Sequence, residues 1–264
     1  MKAKRQELAE AMYHTIQNKF TDLPDDAIVY PAHGAGSLCG KSMSEANSST
    51  LGNERMGNWA FKQQGQEQFI DALLDNQSFI PSYFGFNVDV NKIGAENLCP
   101  GIAEVPFKMY AAAKGLIVDV REEAQFKNGH LMGSINIQAT SEESKFETWL
   151  GAIIEPGEKF SLVINAPEDL ETVLHRVAKI GYEKQLQSIL TLSGDNLVQM
   201  KPLDVQDLKK NPGNYTIIDV RNKSEVAEGR FFGNAQSHPL NTLRDTSDEI
   251  PTDRPIVVHC AGGY

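Results

Sequence analysis

Apolar positions along the chain fall in short clusters with distinct spacings. Residues 4–20 carry Leu8, Met12, Ile16 and Phe20 four apart, the stripe of an amphipathic helix. Leu23-Pro24-Asp25-Asp26 predicts a turn, and Ala27-Ile28-Val29-Tyr30 a strand running into the glycine-rich segment Pro31-Ala32-His33-Gly34-Ala35-Gly36-Ser37. A second helix is expected over residues 66–75. Residues 79–103, with Pro81, Gly85, Pro100 and Gly101, lack periodicity and read as a wrapping loop and linker. Beyond them the pattern changes. Leu116-Ile117-Val118, residues 160–164, Thr216-Ile217-Ile218 and residues 256–258 are short, β-branched-rich runs of the kind that form buried strands. Between two such runs, Leu170, Val173, Leu174 and Val177 sit at helical spacing. Strands alternating with helices predict parallel α/β units.

These units are duplicated. Asp119-Val120-Arg121 recurs as Asp219-Val220-Arg221, and Gly129 and Gly133 recur as Gly229 and Gly233, each 100 positions on. Phe126 and Val226 hold the same apolar slot. The aspartates and arginines that close the strands are expected to be ion-paired structural residues, with Arg221 also a candidate for the pocket around Cys260. Aligning Ala166 with Ala261 puts Asn165 where Cys260 stands, and Pro167 where Gly262 stands. Asn165 therefore marks the degenerate site of the first copy.

Composition narrows the setting. Hydrophobic residues are 41% and charged residues 23% of the 264, ordinary for a globular protein, and no apolar run reaches the roughly 18–20 residues of a membrane span. The formal net charge of −10 repels phosphate backbones, so nucleic acid is excluded as an expected partner, as is a membrane. Three cysteines, Cys39, Cys99 and Cys260, are too few and too odd in number for a disulfide framework; a cytoplasmic location is expected. The basic start Met1-Lys2-Ala3-Lys4-Arg5 has no apolar segment behind it, which argues against a secretory signal.

The string Val257-Val258-His259-Cys260-Ala261-Gly262-Gly263-Tyr264, behind Asp-Val-Arg and a Gly-x-x-x-Gly element, resembles the rhodanese family. The resemblance implies that Cys260 is a nucleophile carrying sulfur as a persulfide. Ala261, Gly262, Gly263 and Tyr264 would begin the active-site loop, whose backbone N–H groups turn toward the sulfur. The chemistry agrees: a thiolate or persulfide is anionic and needs donors, and small residues let the backbone approach. His259, preceding on a strand, should point to the opposite face in a packing role. Trp59 and Trp149 are read as core or interface residues.

The string from Val29 to Lys41, with Thr50-Leu51-Gly52-Asn53-Glu54-Arg55 and Pro81-Ser82-Tyr83-Phe84, resembles a late strand and histidine loop of the metallo-β-lactamase fold. More specifically, it is similar to persulfide dioxygenase-like proteins fused to two rhodanese domains. The fold expected is α/β: the C-terminal part of a metallo-β-lactamase αββα fold over residues 1–103 including a linker, a rhodanese-like domain without catalytic cysteine over 104–198, and a second, incomplete one over 199–264. The chain contains no His-x-His-x-Asp-His motif, so no complete metal site is expected and His33 is only site-adjacent; the resemblance implies iron, alternatively zinc, in a longer parent. The first repeat continues for 27 residues from Asn165 to Leu192 but the second for only four after Cys260, and the metallo-β-lactamase-like part lacks its front half; truncation at both ends is expected.

The function implied is persulfide oxidation coupled to sulfur transfer through Cys260, with small persulfides, thiols, thiosulfate and sulfite as partners, a homo-oligomer left open, and the segment by itself expected to be inactive. A thioester hydrolase with a two-metal site and a non-catalytic sulfur-carrier scaffold are the competing expectations.

Overall fold

The computed structural model describes residues 2–262 apart from 34–44, 63–64, 76–78, 96, 98–104, 109–114, 142–143, 193 and 195. The chain forms two compact units, Met1–Phe79 and Ile80–Tyr264. The dividing point between the units thus lies at Phe79/Ile80.

The first unit contains helix α1 (Lys2–Lys19), the antiparallel strands β1 (Ile28–Val29) and β2 (Ser49–Thr50), and helices α2 (Leu51–Gly57), α3 (Trp59–Lys62) and α4 (Gln66–Leu74). Its core joins Ala9 and Ile16 of α1 to Ala60, Phe69 and Ile70, with Tyr13, Trp59 and Phe61 against them. The inward face of α1 differs from the expected stripe: Leu8 is 61% exposed and Met12 49%. The row turned to the core runs Ala9, Tyr13, Ile16, with Ala9 and Ile16 buried and Tyr13 partly so. The Thr50 hydroxyl caps α2 by accepting from the Asn53 N–H at 3.3 Å. Arg55 pairs with Asp25 and donates to the carbonyls of Thr21 (3.2 Å) and Leu23 (2.9 Å), fixing the turn after α1.

The second unit opens with helix α5 (Tyr83–Ile93), where a wrapping loop was expected. Its own sequence favours a helix weakly: Gly85, Val88 and Val90 lie inside it, and Ser82 makes no capping bond but donates to Glu155 at 2.9 Å. Packing supplies the difference. Tyr83 sits in the space that a side chain at Gly151 would need, and Phe86 occupies the notch over Gly181, whose φ is +73°.

A five-stranded parallel sheet follows, in the order β3 (Phe107–Lys108), β7 (Leu186–Leu190), β6 (Phe160–Val163), β4 (Leu116–Asp119), β5 (Ile135–Asn136). Helices α6 (Glu123–Asn128), α7 (Phe146–Ile153) and α8 (Leu170–Ala178) connect the strands. Both faces of β6 are buried, as a central parallel strand requires. One face joins Leu162, Ile164 and Val118 to Phe146, Leu150, Val173 and Val177, with Trp149 packed alongside; the other is the smaller cluster of Ile117, Val163 and Leu190, with Leu131 and Leu192. Arg176 is buried between α8 and α7, paired with Glu147 and bonded to the Ser141 carbonyl at 2.6 Å.

The second repeat reproduces the central trio: β10 (Ile256–His259), β8 (Thr216–Asp219) and β9 (Gln236–Ser237), all parallel, with α9 (Val205–Lys210), α10 (Lys223–Glu228) and α11 (Leu243–Thr246). Asp119 and Asp219 end equivalent central strands. The segment joining the repeats is held on the first one, where His130 and Val198 exchange backbone hydrogen bonds at 3.0 and 2.9 Å. Arg244 then bridges back from the second repeat, donating to Glu158 and to the Ile153 carbonyl.

Candidate functional site

In each repeat the central strand ends on an aspartate buried to 1% exposure or less. A carboxylate there must be matched by charge and hydrogen bonds. The arginine two residues on provides both. In the first repeat Arg121 Nε donates to Asp119 Oδ1 at 2.9 Å and Nη2 to Oδ2 at 2.7 Å; in the second the Arg221 distances are 3.0 and 2.7 Å. The same guanidinium reaches the carbonyl of Gly129 or Gly229, at 2.7 and 2.9 Å, tying the strand end to the end of α6 or α10. The Arg221 hydrogen bond, with help from a backbone N–H and from His259, holds the Asp219 carboxyl below its ordinary range despite burial. The Phe231 ring lies 4.2 Å from the Arg221 guanidinium.

The ladders fix which residues correspond. Asp119 is in register with Val163, and Asp219 with His259. The Val120 N–H donates to the Val163 carbonyl at 2.9 Å, and the Val220 N–H to the His259 carbonyl at 3.0 Å. Phe160 therefore matches Ile256, 96 positions on, and the residue at the Cys260 position is Ile164. This corrects the expected equivalence of Asn165, which falls opposite Ala261. Matching alanine to alanine misplaced it by one: it implies that the segment between β4 and β6 is five residues longer than that between β8 and β10, and the ladders show four. Ile164 is buried in the core, whereas Asn165 is exposed and accepts from Gln125 Nε2 at 2.6 Å.

Strand alternation places His259 on the Asp219 face, opposite Cys260, as expected from the sequence. Cys260 is half-buried and follows β10 directly; Ala261 and Gly262 are exposed. Gly263 and Tyr264 lie outside the described residues, as do Cys39, Cys99 and the rest of residues 34–41. Arg221 stands in the buried base, engaged by Asp219 and Gly229, and is not an open cation beside the thiol.

The first repeat keeps a cleft of about 520 Å³ at its strand ends, lined by Val120, Ala139, Thr140, Asn165, Asp169 and Val173 among others. Its loop is closed on itself. The Ala166 N–H, a donor that an anionic ligand would need, is taken by the Asp169 carboxylate at 3.1 Å. Sequence alone missed this; the signal was the run Pro167-Glu168-Asp169, acidic where an anion site would be small and neutral.

The family model described as "Rhodanese-like domain" matches residues 108–199. "Uncharacterized protein YqhL" of Bacillus subtilis (strain 168) is 33% identical over 61 residues, covering 23% of this chain and 48% of that protein. The crystal structure of "Metallo-beta-lactamase from Staphylococcus aureus subsp. aureus COL" is similar with a TM-score of 0.55 and 28% identity, over 71% of this chain and 52% of that one. The chain thus spans about half the length of these relatives. It is an α/β protein with parallel sheets, a rhodanese-like domain and a metallo-β-lactamase as structural neighbour.

His33 is exposed, and among the described residues no three histidine, cysteine or carboxylate side chains come together. The described residues do not fit an iron or zinc site. No described helix is long and apolar enough to cross a membrane.

Proposed function

We propose that the second repeat is a sulfurtransferase module with Cys260 as its sulfur carrier. The observation that carries this is the paired ladder: two copies share one strand-end clamp, and the residue that follows the edge of that clamp is a half-buried cysteine in one and a core isoleucine in the other. The Cys260 thiolate attacks the outer sulfur of thiosulfate; the S–S bond breaks, sulfite leaves with the electron pair, and Cys–S–S⁻ remains. An acceptor thiolate then takes the terminal sulfur and returns the Cys260 thiolate. The exposed Ala261 and Gly262 give the loop backbone room to approach the anion. The first repeat, with Ile164 at that position and Asp169 on its loop N–H, is a structural partner in this scheme.

In place of the inactivity that the sequence suggests, the chain itself is expected to load sulfur: mass spectrometry after thiosulfate treatment should find one added sulfur on the Cys260 peptide and none in Cys260→Ser. Sulfur on Cys39 or Cys99 instead would overturn the assignment. For the longer protein that the metallo-β-lactamase resemblance implies, the activity proposed is iron-dependent oxidation of a small-molecule persulfide. Elemental analysis of that protein should find one iron per chain; two zincs would favour thioester hydrolysis.

A further inference from the structure

The two repeats differ on the buried side of the clamp as well as at the nucleophile. Where the first repeat places Val163, fully buried against Ile117 and Leu190, the second places His259. The His259 side chain is 14% exposed and packs beside Phe231 and Phe232, with ring centroids 5.7 and 5.3 Å away. Its Nε2 lies 3.8 Å from Asp219 Oδ2, beyond hydrogen-bonding distance. Both ring nitrogens are out of reach of solvent and have no hydrogen-bond partner among the described residues. An imidazole in that state costs stability that a valine would not. Rule-breaking of this kind tends to occur at functional sites, and here it falls in the copy that carries the cysteine, one residue before it.

We propose that His259 is a positioning residue for the sulfur chemistry at Cys260, acting through Asp219 to set the charge of the clamp at the end of the strand that Cys260 follows. The proposal rests on the reading of Cys260 as a sulfur carrier. In the first repeat the clamp holds one carboxylate and one guanidinium, Asp119 and Arg121, and is neutral. In the second, the groups facing the imidazole are Asp219 and the two phenyl rings, with Arg221 behind the carboxylate. A protonated His259 gives this clamp a net positive charge. An anionic thiolate or persulfide at the adjoining position is then favoured, and more so because the clamp is shielded from water. A neutral imidazole removes that preference, so the site responds to pH through a group that touches neither sulfur nor substrate.

The test uses the full chain and two variants. His259→Val installs the residue of the sister repeat; His259→Gln keeps polarity without charge. Iodoacetamide alkylation of Cys260, followed by peptide mass spectrometry between pH 6 and 9, reads sulfur reactivity, and thermal unfolding reads stability. In His259→Val the alkylation rate at pH 7 should fall about tenfold while the unfolding temperature rises. Below pH 7 the wild-type rate should decline less steeply than that of either variant. A residue that only fills space would move reactivity and stability together. Wild-type alkylation rates in both variants would overturn the proposal, as would rates and stability falling in step. If His259→Val does not fold, the pH profile of His259→Gln decides alone. Thiosulfate loading of wild-type Cys260 is measured beside these. Its absence would overturn the sulfur-carrier reading, whereas loading with an unchanged profile in the variants would overturn only the role of His259.

Discussion

The aspartate–arginine pairs are the part of the site most legible in the sequence. A repeated Asp-Val-Arg at the end of an apolar run can satisfy a buried carboxylate in few ways, and the structure uses one of them twice. Asp119→Asn should leave the Arg121 guanidinium buried with half its partner lost, at a cost of about 3 kcal/mol in urea unfolding. Asp219 adds a pH dependence. Its carboxyl is held below the ordinary 3.8 by Arg221, so the contribution is complete above that value and disappears as pH falls through the lower folded value. Acid unfolding followed by circular dichroism should show Asp219→Asn losing less stability than wild type between pH 5 and 2. The identity of the residue replacing Cys260 was not legible, since it depends on strand register and hence on loop lengths that local similarity cannot supply.

At the scale of elements, strands announced themselves and helix faces did so unevenly: the Val173, Leu174 and Val177 row of α8 is buried as its spacing predicts, the α1 row only in part. Runs such as Leu116-Ile117-Val118 have no alternative to burial in a central sheet. The α1 stripe holds only in part: Ile16 is in the core, but Leu8 and Met12 are exposed because a four-residue spacing drifts around the helix, and the inward row begins at Ala9, which looks unremarkable in a hydrophobic pattern. Helix α5 was hidden for another reason: its stability comes from Tyr83 and Phe86 entering spaces left by Gly151 and Gly181, residues about 70 and 95 positions away. Gly151→Ala should force Tyr83 out and destabilise the second unit by about 2 kcal/mol. Hydrogen exchange should show the loss concentrated in residues 83–93, with little change on β4 or β6.

Across the second unit, the repeats are joined by the Val198 segment and by Arg244 on Glu158. The Arg244 hydrogen bond holds the Glu158 carboxyl below its usual 4.5, although burial opposes it. A depressed carboxyl strengthens the joint above its ordinary value and releases it as pH falls through the lower one. Glu158→Gln at neutral pH should reproduce the acid state: faster exchange over residues 243–249, with both sheets intact. The duplication was readable because its 100-residue offset is constant through the glycines. The joint was not, since Arg244, in the one-turn helix α11, and Glu158, in the turn before β6, are single charges 86 positions apart with nothing local to mark them as a pair.

The one-place difference between Asn165 and Ile164 decides how a second sulfur site could be engineered into the same molecule. Asn165→Cys would hang a thiol in solvent, off the end of the strand, where it would behave as a surface label. Ile164→Cys would seat it at the strand head in the position of Cys260, trading a core isoleucine for a smaller group. Even then the loop would greet the sulfur with the Asp169 carboxylate already on its amide, so revival takes two changes at least: one to supply the nucleophile and one to evict the resident anion.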